Sequence, residues 1–148
     1  MIRKMKISDL DRIMEIEEQC FRDDVWSRSQ YLYELQENPY ASLWVLTDKD
    51  GTIAGYYDLW TIFERAEIAT IAVAPEYRKQ GYGSLLMRDL LKRAKDNECE
   101  SISLEVRVSN TAAIKLYEHY EFVIVNVRKG YYKDADSYED AYLMMRGI

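Results

Sequence analysis

The chain has 148 residues, with 20 Lys+Arg against 26 Asp+Glu for a formal net charge of −6. That length suits one domain over residues 1–148 with a core that needs no staples, and 48% hydrophobic with 31% charged residues excludes a disordered chain. The acidic balance argues against nucleic acid and for a basic partner, while one histidine, His119, and two distant cysteines, Cys20 and Cys99, exclude zinc fingers and HExxH metalloproteases.

Residues 1–6 lack the apolar run of a signal peptide, and nothing approaches the ~18 apolar residues of a membrane span. Two unpaired-looking cysteines suit a reducing compartment, so the expectation is a cytoplasmic protein with no membrane contact. Ser8 is placed to cap a first helix, in which Leu10, Ile13, Met14, Ile16 and Cys20 recur at helical spacing while Asp11, Glu15 and Glu18 take the wet side. Ser27 and Gln30 form a capping-box pattern for a second short helix carrying Tyr31, Leu32 and Leu35, which Asn38-Pro39 stops. Residues 43–46 read as a strand, 48–51 as a turn with Asp50-Gly51 at its tip, and 52–63 as the returning strand, broken or bulged near Gly55.

The run 68–73 is almost wholly apolar, the pattern of a strand buried on both faces. A long helix follows as far as about Asp96, with Leu86, Met87, Leu90, Leu91 and Ala94 on its apolar stripe. Over 102–108, Ile102, Leu104, Val106 and Val108 alternate with Ser103, Glu105 and Arg107, as in a strand. Asn110 is placed to cap a helix through Tyr117. Strands at 122–127 and 141–145 close the chain, joined by an acidic, tyrosine-rich stretch at 131–140. The order ααβββαβαββ predicts a mixed α/β fold around one mostly antiparallel sheet.

Between the apolar strand and the long helix stands Arg78-Lys79-Gln80-Gly81-Tyr82-Gly83-Ser84. Glycine lets backbone N–H groups approach a ligand, the helix start adds positive dipole, and Arg78 and Lys79 add charge, which together suit a pyrophosphate. The spacing fits neither a P-loop, which needs Lys-Ser/Thr after its second glycine, nor the dinucleotide fingerprint, whose third small residue is here Leu86. Taken alone, the segment reads as a turn without a ligand, Glu105 as a solvent-facing strand residue, and Tyr117 as a core tyrosine.

Arg78-x-x-Gly81-x-Gly83 after Ala72-Val73-Ala74-Pro75 resembles the acetyl-coenzyme A motif of the GNAT superfamily of N-acetyltransferases. Leu104-Glu105-Val106-Arg107-Val108-Ser109-Asn110-Thr111-Ala112-Ala113-Ile114-Lys115-Leu116-Tyr117-Glu118 resembles the second half of that pattern. Within the superfamily the chain is most similar to the RimI-type ribosomal-protein alanine N-acetyltransferases. Val25-Trp26-Ser27, and Tyr131-Tyr132 ahead of Glu139-Asp140-Ala141, add to a likeness that covers essentially the whole chain.

The resemblance implies a mixed, mostly antiparallel sheet splayed between the family's fourth and fifth strands, which correspond here to the two central strands 68–73 and 102–108, and flanked by about four helices. It implies acetyl-CoA as co-substrate and no metal. The coenzyme would lie along Ile71, Ala72 and Val73, with the Val73 N–H at the thioester carbonyl. Arg78, Lys79, Gln80, Gly81, Tyr82, Gly83 and Ser84 would hold the pyrophosphate, and Asn110 would also contact the coenzyme. Glu105 is implied as the general base acting through water, and Tyr117 as the general acid. Trp26, Tyr131 and Tyr132 are the implied peptide contacts.

Glu121 stands where relatives usually carry glycine, so a different or strained turn is expected there. Cys99 and His119 fall on no catalytic position of the family and read as structural. The implied activity is direct transfer, in a ternary complex, to the N-terminal α-amine, alanine in particular, of a small-subunit ribosomal protein, by a monomer or weak dimer. The alternatives are a broader N-terminal or small-amine (polyamine or amino sugar) acetyltransferase, and a non-catalytic acetyl-CoA-binding module.

Overall fold

In a computed structural model describing residues 1–148, the elements in chain order are β1 (Ile2–Lys4), α1 (Leu10–Cys20), α2 (Arg28–Gln36), β2 (Ala41–Thr47), β3 (Ile53–Ile62) and β4 (Arg65–Val73). They continue with α3 (Tyr82–Asp96), β5 (Ser101–Arg107), α4 (Thr111–His119), β6 (Val123–Lys133) and β7 (Tyr138–Gly147). The seven strands form one sheet in the order β1-β2-β3-β4-β5-β7-β6. Every neighbouring pair is antiparallel except β4–β5, so the expected mixed α/β architecture with four helices is present.

The core lies on both faces of the sheet. On one, Leu86, Met87, Leu90 and Ala94 of α3, with Tyr117 and Phe122, pack on Tyr57, Leu59, Ile68, Ile102, Leu104 and Val106. On the other, Leu10, Ile13, Ile16 and Tyr31 of α1 and α2 pack on Leu43, Val45, Tyr56 and Ala72. Burying each such side chain contributes about 1.5–3 kcal/mol, so the two apolar stripes hold the layers together.

Several expectations need correction. Ser8 caps nothing: a single 3-10 turn, Ile7–Asp9, precedes α1, and Asp9 accepts from the Lys6 N–H at 2.8 Å while pairing with Arg3 at 2.9 Å. β1, which sets Ile2–Lys4 against Trp44–Leu46, is too short to show any periodicity in sequence. β6 and β7 run longer than 122–127 and 141–145, with Tyr132 opposite Glu139 and Lys133 opposite Tyr138, so most of the tyrosine-rich stretch is strand. The Ser27 capping box is present as read, with the Ser27 hydroxyl accepting from the Gln30 N–H and the Ser27 N–H donating to the Gln30 side chain.

The apolar run at 68–73 is not buried on both faces: Ala69, Thr70, Ile71 and Val73 are only half-buried. Register explains it. Asp58 pairs with Thr70 but Leu59 with Ile68, leaving Ala69 as an extra residue in β4. Such a bulge bends a strand and ends its pairing. β4 therefore meets β5 only through Arg65↔Ser101, Ala66↔Ile102 and Glu67↔Ser103, and the two strands diverge beyond. Near Gly55 the register also shifts, and a Cβ on Gly55 would stand 2.6 Å from the Ala72 carbonyl oxygen, so only glycine fits that approach.

Candidate active site

The divergence of β4 and β5 opens a gap in the sheet, with Ile71 and Val73 against the α3 layer and Ala72 buried toward α1. At its upper end the chain turns through Pro75–Tyr77 and enters α3 by a loop in which Lys79 (φ 60°) and Gly81 (φ 83°) are left-handed. A Cβ on Gly81 would meet nothing within 4 Å, so glycine serves backbone conformation there. At Gly83 a Cβ would stand 3.3 Å from the Leu116 side chain, so this glycine lets the start of α3 pack on α4. The first N–H groups of α3, from Tyr82, Gly83 and Ser84, precede the helix's own acceptors and are available to an anion.

Lys79 forms no ion pair, whereas Arg78 folds back, its Nε donating to the Val73 carbonyl oxygen at 3.3 Å and its Nη2 to the Cys20 Sγ at 3.2 Å. Gln80 donates its side-chain amide to the Glu76 carbonyl oxygen. The charge of Arg78 is thus held at the mouth of the gap by α1. No three His, Cys, Asp or Glu side chains are arranged to hold a metal ion.

Glu105 sits on β5 opposite in sense to Ile102, Leu104 and Val106, which pack under α3. It therefore faces the α1 side of the sheet, its side chain 16% exposed and 3.5 Å from the Arg128 Nε of β6. Burial and the adjacent Glu105 carboxylate raise the Tyr131 phenol to about 12. Glu67, on β4, joins this group: burial raises its carboxyl, the negative charge of Glu105 raises it further, and Arg128 partly offsets both. Neither Glu67 nor Arg128 carries a motif, and only the strand register brings them to Glu105.

Tyr117 belongs to the opposite layer, packed with Leu104, Val106 and Phe122 on the α3 side. Its ring is 7% exposed, its hydroxyl has no hydrogen bond to protein, and burial raises it to about 12. Asn110 caps α4 as expected, accepting from the Ala113 N–H at 3.2 Å. Glu121 adopts φ 71°, the left-handed turn in which glycine is favoured. Cys99 is buried with its thiol on the Phe63 carbonyl oxygen, and His119 lies in the last turn of α4 against Tyr120.

Arg107 is the residue that sequence reading passed over. Its side chain is 9% exposed and bonds Asp24 at 2.9 Å, Asp134 at 2.9 Å and Glu139 at 3.0 Å. It also lies 4.4 Å from the Tyr132 ring centre. Asp24 belongs to the α1–α2 loop and Asp134 and Glu139 to the β6–β7 hairpin, so one guanidinium clamps the two walls flanking Glu105. Glu139 is held down to about 2, chiefly by Ser109 and then by Arg107. Trp26, in the same loop, stands on the α2 side, its N–H on the buried Glu17 carboxylate at 3.0 Å and its ring 5.2 Å from that of Tyr31. The one textual signal for Arg107 is its place in Leu104-Glu105-Val106-Arg107.

Comparison with known proteins accounts for this architecture. The model of the acetyltransferase (GNAT) family matches residues 10–122. A Bacillus subtilis (strain 168) protein, provisionally named a ribosomal protein bS18-alanine N-acetyltransferase, is 40% identical over 143 residues, covering 97% of this chain and 92% of its own. An N-alpha-acetyltransferase of Saccharolobus solfataricus is 32% identical, covering 99% of this chain and 92% of its own. The crystal structure of the ribosomal-protein-S18-alanine N-acetyltransferase from Escherichia coli superposes with a TM-score of 0.88 at 30% identity, over 100% of this chain and 93% of that one. With the family's pattern matched from α1 to the end of α4 and the fold shared along the whole chain, this protein belongs to the GNAT family and is an acetyltransferase.

Proposed function

We propose that the protein transfers the acetyl group of acetyl-CoA to the N-terminal α-amine of a protein chain, with the alanine N-terminus of a small-subunit ribosomal protein as acceptor. The observation that carries this reading is the placement of Glu105 and Tyr117 on opposite faces of the sheet at the β4–β5 gap. A carboxylate on one side can take a proton from an incoming ammonium, and a phenol on the other can return one to a departing thiolate. The names of the B. subtilis and E. coli relatives favour the ribosomal acceptor.

The residues fit acetyl-CoA as the second substrate. The loop 79–84 and the start of α3 offer N–H donors for its pyrophosphate, with Lys79 free to pair. The unpaired edge of β4 at Ile71 and Val73 offers backbone groups to its extended arm, and the Val73 N–H would polarise the thioester carbonyl. Glu105 would deprotonate the acceptor through water, with Glu67 beside it adding negative potential that draws in a cation. Tyr117, kept neutral by burial, would protonate the sulfur as it leaves. Trp26, Tyr131 and Tyr132 flank the acceptor side, whose walls Arg107 joins. Transfer would be direct, since the arrangement needs no side-chain nucleophile.

Mass spectrometry of acetyl-CoA reactions with peptides beginning Ala, Ser or Met, beside free polyamines, tests the proposal. Acetylation of the peptide α-amine, strongest for Ala, is expected. Acetylation of polyamines alone would overturn it.

A further inference from the structure

On the sheet face that carries Glu67 and Glu105, the next strand outward is β3, and Trp60 lies in register with Glu67. Trp60, Trp26 and Tyr33 wall a cleft of about 340 Å³, with Glu34 at its base. Glu34 is 6% exposed and accepts from the Trp60 Nε1 and, at 2.8 Å, from the Asn38 side-chain amide. Asp58 neighbours it, fully buried, and neither of its carboxyl oxygens has a hydrogen-bond partner. Burial and the neighbouring Glu34 keep Asp58 protonated at neutral pH. The ion pairs of the molecule all lie elsewhere, so no lysine or arginine of the chain offsets the charge of this pair. The other buried glutamate, Glu17, accepts from three donors, the Tyr31 and Tyr56 hydroxyls and the Trp26 backbone N–H, and opens onto no such aromatic cleft.

Aromatic faces around a carboxylate select a narrow class of ligand. A cation is attracted by the ring quadrupoles, its alkyl stem packs against the rings, and its charge pairs with the acid. An anion would be repelled by Glu34, and a purely apolar group would bury that charge further without compensation. The location adds a reason. At the paired end of the gap, where Trp60, Glu67 and Ser103 are in register, adjacent strands are about 4.8 Å apart, so β3 lies roughly 10 Å from β5 there, and an extended peptide advances about 3.3 Å per residue. A chain whose amine stands beside Glu105 would bring its second or third side chain to this cleft.

We propose that the Trp26–Tyr33–Trp60 cleft over Glu34 is a subsite for a lysine or arginine side chain of the acceptor, two or three residues into the chain. This rests on the reading of a protein N-terminus as acceptor. The acidic composition then has a specific outlet, a basic residue close behind the acetylated amine.

Two measurements test it. Initial rates are compared for Ala-initiated peptides carrying Lys or norleucine at position two or three, at saturating acetyl-CoA, with the native protein, Tyr33→Ala and Glu34→Gln. Norleucine is expected to raise the acceptor KM about fivefold in the native protein with kcat little changed, and both variants should lose most of that difference. Tyr33 is 56% exposed, so its truncation tests the cleft without touching the core. A native KM indifferent to Lys at both positions, or a preference surviving both variants, overturns the subsite.

Separately, Nα-acetyl-lysine N-methylamide is titrated against the protein and followed by tryptophan fluorescence, with the norleucine analogue as control. A response to the lysine probe alone, weakened in Tyr33→Ala, supports the subsite; no response from the native protein overturns it. A protein that answers the probe yet acetylates no peptide keeps its cation subsite and refutes the peptide-acceptor reading.

Discussion

Phe122 donates its backbone N–H to the Tyr117 carbonyl oxygen at 3.0 Å, and the two rings stand 6.1 Å apart. This closes the end of α4 in the manner of a Schellman turn, with Glu121 taking the left-handed position between them. The proposed acid and the first buried residue after its helix are thereby locked together, at the cost of a non-glycine residue at positive φ.

Glu121→Gly removes that strain. It should stabilise the protein by about 1 kcal/mol and raise Tm by roughly 2–4 °C without changing kcat, as calorimetry and steady-state assays would show. A lower Tm would mean that the exposed Glu121–Arg146 contact at 3.9 Å outweighs the backbone strain.

Glu105→Gln and Tyr117→Phe should each lower kcat by about 10²-fold or more while leaving acetyl-CoA affinity, measured by titration calorimetry, nearly unchanged. Because the Tyr117 hydroxyl has no protein partner, Tyr117→Phe should unfold at the same urea midpoint as the native protein. Full activity in either variant would remove that residue from the mechanism.

Arg107→Gln would leave Asp24, Asp134 and Glu139 facing one another without their shared cation. A loss of roughly 2–4 kcal/mol is expected, below the fully buried limit because the carboxylates are partly wet. Acceptor KM should rise more than coenzyme KM, since the clamp joins the acceptor-side walls. Equal effects on both would argue that Arg107 serves stability alone.

Asp58→Asn tests the buried pair with Glu34. Asp58 is raised from an ordinary 3.8 to about 9 by burial and then by Glu34. Between those values the folded state holds a proton that the unfolded state has lost, so the contribution of Asp58 to stability falls as pH rises toward 9. Asparagine cannot ionise and has nearly the same shape. The variant should therefore show a flatter loss of stability from pH 5 to 9 in urea titrations, and a profile parallel to the native one would refute the assignment.

Much of the architecture was legible beforehand because it is written in local physics. The Ser27–Gln30 capping box, the Asn110 cap and the α3 stripe each depend on residues within a few positions of one another. The errors have the same explanation in reverse. Three-residue β1 offers no period to read, and Ser8 was overruled by an Arg3–Asp9 pair that exists only once β1 has docked. The run at 68–73 looked doubly buried because its composition is apolar, while its exposure follows from a bulge at Ala69 that no residue type announces.

Length, acidity and a single histidine follow from composition, and local periodicity and the glycine-bearing motif indicated the family and the order of every element but β1. These features need only neighbours in the chain. Tertiary structure alone decided that Glu67 stands beside Glu105, that Arg107 gathers Asp24, Asp134 and Glu139 from two distant segments, and that Trp26, Tyr33 and Trp60 enclose Glu34. The physical reason is register. A slip of one residue turns every strand side chain to the other face, so which charges share a cleft is set by pairing across the sheet and by the bulge that opens it.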